Sequence, residues 1–269
     1  MTSFFSCDIS KLPLCESIIA TLRLIRLDFP ADIVIKELKN RVEEARSYIE
    51  SEKNIHYKLK KLIELFYDHW KFGGATGIYK LSDVLWLDNV LQTRKGTAVS
   101  LGVILLHIAQ QLCLPLMPVT FPTQLILRSD EFNKKMWLID PFNGETLSEH
   151  ILKVWLKGNI SPTAELYEND LDTVQYSTVI RKMLDTLKNA LIEEKKIELA
   201  LNVSNVLLKI NPNDPYEIRD RGLIYAQLEC NHVALTDLIY FVEHCPEDPI
   251  SEIIKIQIHS IKKKQMVLH

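Results

Sequence analysis

The chain has 269 residues, of which 47% are hydrophobic and 25% charged, with a formal net charge of −3. That length is comfortable for two compact domains, and the composition is that of an ordinary globular protein. The charge argues against a polyanion partner: nucleic-acid recognition needs a clustered basic face, and the run Lys262-Lys263-Lys264 reads as a solvated tail.

Five cysteines, Cys7, Cys15, Cys113, Cys230 and Cys245, form no CxxC pair and are odd in number. They predict free thiols in a reducing cytosol rather than a disulfide framework. Cys and His do not recur at zinc-ligand spacing. Met1–Ser6 lacks the basic start of a signal peptide. No cofactor or metal is expected, because GxGxxG, Walker A, HExxH and GxSxG are all absent.

Only 8 residues are glycine, so helices should dominate. Three are predicted in residues 8–71. Ile18, Leu22 and Ile25 mark the first. Ile33, Leu38, Val42, Ala45 and Ile49 mark the second, with Pro30 between them and Asp28 and Asp32 as candidate caps. Leu59, Leu62, Ile63, Phe66, Tyr67 and Trp70 mark the third, and Gly73–Gly77 reads as a flexible turn. A short helix is predicted over 83–92 and a longer one over 97–112. The apolar stretch Val99–Leu116 is interrupted by Ser100, His107, Gln110 and Gln111, which suits a buried helix rather than a membrane span.

Strand-like runs follow at Leu116–Phe121, Leu125–Arg128 and Met136–Ile139, with Asp130–Lys135 as a hairpin turn. The N-terminal half is therefore α+β, with a small antiparallel sheet on a central helix. Pro162 and the acidic stretch Glu165–Asp172 read as a linker.

The C-terminal part repeats itself. Ala200 and Ala234, Pro212 and Pro246, and Pro215 and Pro249 are each 34 residues apart, the period of a tetratricopeptide (TPR) repeat. Gly222 and Tyr225 supply the small helix contact and the packing ring. The repeats are placed at about 181–214 and 215–248, with a closing helix over 249–264.

The stretches Arg94-Lys95-Gly96, Phe121-Pro122-Thr123-Gln124-Leu125-Ile126-Leu127-Arg128, Asp140-Pro141-Phe142-Asn143-Gly144 and Asp214-Pro215-Tyr216-Glu217-Ile218-Arg219-Asp220-Arg221-Gly222 resemble the SirB/YchA family of bacterial proteins. The resemblance implies a mostly helical α+β fold: a transglutaminase-like domain over 1–165 and TPR helices over 173–269. In active members of the wider superfamily a Cys begins the central helix, where the helix dipole favours a thiolate. A His on the adjacent strand is its base, and an Asp orients that His. The matching positions here hold Ala98, Gln124 and Asp140. The resemblance therefore implies a degenerate triad with neither nucleophile nor base.

Three roles follow as expectations. The first is a non-catalytic interaction protein taking a protein or peptide in a TPR groove. Tyr216, Arg219, Leu223 and Gln227 would line it from one repeat, and Lys182, Asp185, Asn189 and Glu193 from the other. The second is residual acyl-transfer or amide hydrolysis by another nucleophile, for instance Cys113 with His107. The third is small-ligand binding in the old cleft, with Gln124 and Asp140 as polar anchors. Ser100 reads as a helix residue, His107 as a hydrogen-bonded core residue, Cys113 as a small buried thiol, Trp137 as core, and Arg128 with Asp130 as a surface pair. Nucleic acid and membrane are not expected partners; oligomeric state stays open.

Overall fold

The structure is a computed structural model in which residues 13–132 and 135–267 are described. Cys7, the Met1–Ser6 stretch and residues 133 and 134 of the predicted hairpin turn lie outside the described residues. The chain divides into two compact units. One comprises the described residues up to Arg23 with Asp28–Met183; the other comprises Leu24–Leu27 with Leu184 onward.

The first unit starts with helices α1 (Leu14–Ile25), α2 (Ala31–Ile49) and α3 (Ile55–Glu64). The buried stripe of α2 is Ala31, Val34, Leu38, Val42, Ala45 and Ile49. Val34 thus takes the inward place predicted for Ile33, which is 69% exposed. Neither Asp28 nor Asp32 caps α2; its N-cap is Pro30, without a side-chain hydrogen bond. After α3 the chain widens into one π turn, Leu65–His69. That extra residue in the turn lets Leu65, Phe66 and Trp70 all point inward. Residues Gly73–Gly74 are not a free turn. They form a short strand, β1, parallel to β2 (Lys95–Gly96), on either side of α4 (Leu87–Thr93).

Central helix α5 (Ala98–Gln111) is buried along residues 98–109. Thr97 caps it: its hydroxyl accepts from the Ser100 N–H at 3.2 Å, while the Thr97 N–H donates to Ser100 Oγ at 2.9 Å. Strands β3 (Met117–Thr120), β4 (Leu125–Phe132) and β5 (Lys135–Ile139) make an antiparallel sheet in the order β3-β4-β5. β4 runs four residues beyond its predicted end, because Phe132 still pairs with Lys135.

Helix α6 (Glu149–Asn159), absent from the sequence-based layout, follows with Ser148 as N-cap. Leu152 and Leu156 join Val119, Phe121, Ile126, Leu138, Leu147 and Leu171 in one core cluster. Leu171 corrects the linker reading of Glu165–Asp172. Leu166 and Leu171 sit between the acids and pack on the sheet, Arg128 Nη1 donates to the Leu171 carbonyl at 2.7 Å, and Val174 N donates to the Pro118 carbonyl at 3.0 Å. A strap anchored this way buries apolar area that a solvated linker lacks.

Helix α7 (Tyr176–Glu193) carries the boundary between units, and α8 (Ile197–Ile210), α9 (Pro215–Gln227), α10 (Asn231–His244) and α11 (Pro249–Val267) follow. The repeat is visible in the caps. Asp214 accepts from the N–H groups of Tyr216 and Glu217 at 3.1 and 3.3 Å, with Pro215 opening α9. Asp248, 34 residues on, accepts from Ile250 N at 2.8 Å, with Pro249 opening α11. Ala200 and Ala234 are both fully buried, the small residues that permit close helix crossing.

Candidate functional site

Of the three inferred triad positions, Gln124 and Asp140 are brought together by strand pairing. β4 pairs with β5 so that Leu127 faces Ile139, which brings the residue preceding β4, Gln124, beside the residue following β5, Asp140. Gln124 Nε2 donates to Asp140 Oδ1 at 3.2 Å. The same carboxylate oxygen accepts from Phe142 N at 2.9 Å. A tight turn closes behind it: Gly144 N donates to the Asp140 carbonyl at 2.8 Å with φ +79° at Gly144, a conformation that favours glycine.

Ala98 is the first residue of α5 and is buried. Gly102, one turn on, lets α5 approach the same corner. A Cβ there would lie 2.7 Å from Leu125 Cδ2 and 3.5 Å from the Pro141 ring. Gly74 N donates to the Phe142 carbonyl at 2.8 Å, and a Cβ on Gly74 would collide with the Phe142 ring. Tyr67 donates its hydroxyl to the Pro141 carbonyl at 2.7 Å. Four separate segments thus converge on Asp140–Phe142.

Burial pushes the Asp140 carboxyl above its usual range, against the lowering pull of the Phe142 N–H and the Gln124 amide. Burial, aided by the Asp140 charge, pushes the Tyr67 phenol up. Thr123 Oγ1 is buried with no hydrogen-bond partner, a polar atom that the sequence did not single out. Its only signal was its place beside Gln124.

The residues weighed for displaced chemistry are dispersed. Ser100 Oγ donates to the Val84 carbonyl at 2.7 Å and serves the helix cap. His107 is buried, but its Nδ1 has no hydrogen-bond partner, so it is not the satisfied core histidine that was expected. Burial holds its pKa down. Cys113 is exposed at φ 55° past the end of α5, not a buried thiol; the turn that ends the helix swings it outward. His107 instead shares a cavity of 410 Å³ with Cys15, whose thiol is pushed up to about 12 by burial and is therefore no thiolate at neutral pH. Trp137 is half-buried, its Nε1 donating to Thr146 Oγ1 at 2.9 Å. Arg128 does pair with Asp130 at 2.7 Å, but its second bond, to Leu171, makes it a tie within the unit. Among the described residues no three His, Cys, Asp or Glu side chains group as a metal site would.

The groove candidates differ in availability. Gln227 and Asn189 are exposed, as is Glu193. Tyr216 is 45% exposed, and its hydroxyl donates to Asp248 at 2.8 Å. Arg219 donates to Asp220 at 2.6 Å and lies 5.4 Å from the Tyr216 ring centroid. Leu223 packs against the α10–α11 cluster. Asp185 and Lys182 are half-buried, and Asp185 lies 3.8 Å from Lys188. Lys188 itself, unremarked in the sequence, is the centre of a buried network with Glu217 and Asp220.

Two family profiles match the chain: the transglutaminase-like superfamily over residues 32–185 and the tetratricopeptide repeat over residues 187–259. A UPF0162 protein of Buchnera aphidicola (subsp. Schizaphis graminum) is 72% identical over all 269 residues of both chains. Protein SirB1 of Salmonella typhimurium is 59% identical and UPF0162 protein YchA of Escherichia coli K12 is 57% identical, each also over the full length of both chains. No solved structure matches.

Proposed function

Because the chain belongs to the family of SirB1 and YchA, a transglutaminase-like domain followed by TPR helices, we propose that it is a non-catalytic interaction or scaffold protein. The observation that carries this reading is the Gln124–Asp140 hydrogen bond. The carboxylate that would orient a catalytic histidine instead holds an amide, which takes no proton near neutrality. Ala98, at the helix start, offers no nucleophile. Without nucleophile and base the acyl-transfer route is removed rather than slowed.

The TPR helices supply the working surface in this reading, because stacked helical repeats present extended faces to partners. Asn189, Glu193, Gln227 and Tyr216 are its exposed groove candidates, and Asn189 and Gln227 make no side-chain contact described above. Arg219 contributes through its internal contacts. No helix of the described residues is long and apolar enough to cross a membrane. Among the described residues Cys15, Cys113, Cys230 and Cys245 are free thiols, which supports action in a reducing cytosol.

The test compares partners co-purified with the tagged wild type and with an Asn189→Glu, Gln227→Glu variant, both verified by thermal melting. A specific partner retained by the wild type and lost by the folded variant is expected. Turnover of a glutamine or thioester acyl donor by the wild type would sink the non-catalytic reading.

A further inference from the structure

The second repeat contains an internal template for what covers the outer face of a first helix. Three positions on α9 touch α10. The Tyr216 ring meets Phe241 edge-on with centroids 5.6 Å apart. The Arg219 guanidinium lies 5.3 Å from the centroid of the same Phe241 ring. Gly222 faces α10 so closely that a Cβ would sit 3.0 Å from Asp237 Cβ and from Leu238. A fourth position, Arg221, makes a bidentate pair with Asp237 at 2.7 and 2.8 Å.

The positions 34 residues later are Ile250, Ile253, Ile256 and Lys255, all on α11. The three isoleucines are 40%, 64% and 72% exposed. The other side of α11 is already occupied: Ile254 and Ile261 are buried in the cluster that includes Ala234, Leu238 and Phe241 of α10. So α11 is apolar on a packed face and apolar again on a bare one. Among the described residues no helix lies there as α10 lies on α9. The outer face that closes a repeat array is ordinarily polar; this one is an aliphatic stripe at positions whose counterparts are helix contacts. Lys255 pairs with its neighbour Glu252 at 2.6 Å on the exposed surface, an easily exchanged pair.

We propose that this face of α11 receives an antiparallel amphipathic helix from a partner protein, with the chemistry of α10. The incoming helix carries a carboxylate for Lys255, as Asp237 serves Arg221. It carries an aliphatic residue next to that carboxylate, as Leu238 does, and an aromatic one turn on, as Phe241 does. Ile256 in place of Gly222 sets a wider helix spacing, so side chains rather than backbone make the contact. The proposal rests on the interaction-protein reading but uses neither Asn189 nor Gln227.

The probe is a lactam-constrained peptide of residues 231–244, since an isolated helix that short is marginal in water. Binding to the full chain is followed by fluorescence anisotropy. Saturable binding is expected, weakened about tenfold or more by Ile253→Glu with Ile256→Glu, with thermal melting unchanged because both side chains are exposed. Asp237→Lys in the peptide should weaken binding, and Lys255→Glu in the protein should restore it. Absence of saturable binding, indifference to the double variant, or failure of the charge swap would overturn the proposal. So would sedimentation showing a dimer of this chain that the double variant abolishes, because the occupant would then be a second copy. None of these outcomes changes the Asn189 and Gln227 co-purification result, so the two readings fail separately.

Discussion

Lys188 of α7 and Glu217 of α9 form an ion pair of 2.7 Å with 3% and 1% of their side chains exposed. The pair is fully engaged: Glu217 Oε1 also accepts from the Ser204 hydroxyl at 2.6 Å, and Lys188 also donates to Asp220 at 2.8 Å. It therefore joins three helices of the repeat unit through one buried network.

Removing the lysine alone should be severe, because it leaves Glu217 buried and facing Asp220 without a cation. Breaking such a pair costs about 3–5 kcal/mol, so Lys188→Met should lower unfolding free energy by about that amount in urea denaturation. Burial pulls the lysine pKa down, but Asp220 and Glu217 outweigh it and hold it above the usual range. A raised lysine pKa contributes stability that is complete below the unfolded value and is lost as pH rises through the folded one. The deficit of the variant should thus persist across neutral pH and shrink in strongly alkaline solution. A neutral effect of Lys188→Met at neutral pH would show that the network does not hold the helices.

Gly222 sets the α9–α10 spacing. A Cβ there would stand 3.0 Å from Asp237 and Leu238, and a branched side chain must push α10 away or displace the Arg221–Asp237 pair. Overpacking of this kind costs about 1–3 kcal/mol. Gly222→Val should lose that much, while Gly158→Ala on α6, where a Cβ meets nothing within 4 Å, should gain up to about 1 kcal/mol from helix propensity. Equal effects at the two sites would remove the packing argument.

The parts of this fold legible in the sequence are those fixed by local chemistry. The aspartate–proline pairs at 214–215 and 248–249 are helix starts because Asp caps and Pro tolerates the first turn. The 34-residue spacing of Ala200 and Ala234 survives as two buried crossings. The Gln124–Asp140 contact was foreseeable because both residues flank strands that pair. What failed were features set by distant packing. Periodicity alone could not tell Ile33 from Val34 as the inward residue of α2, nor recognise the π turn at Leu65–His69. The strap at Glu165–Asp172 was masked by its charge, although two leucines anchor it. Nothing local marked Lys188, because its carboxylates lie 29 and 32 residues away in the chain.

Asp140 gives the last test, and its sign is the reverse of the usual carboxylate case. Burial raises its pKa above the ordinary range, and the Phe142 N–H and Gln124 amide offset this only in part. The folded state then binds the proton more tightly than the unfolded chain. Stability must fall as pH rises through the window between the unfolded and folded pKa values, and it stays lowered above that window. Asp140→Asn keeps one side-chain oxygen, which can accept from both the Phe142 N–H and the Gln124 amide as Oδ1 does now. It removes only the buried charge. The variant should therefore be more stable than the wild type at about pH 7 and should converge with it at about pH 3, measured by denaturant unfolding at each pH. A variant that is instead weaker at neutral pH, with the gap closing in acid, would mean that the charge of Asp140 is held by its contacts rather than tolerated.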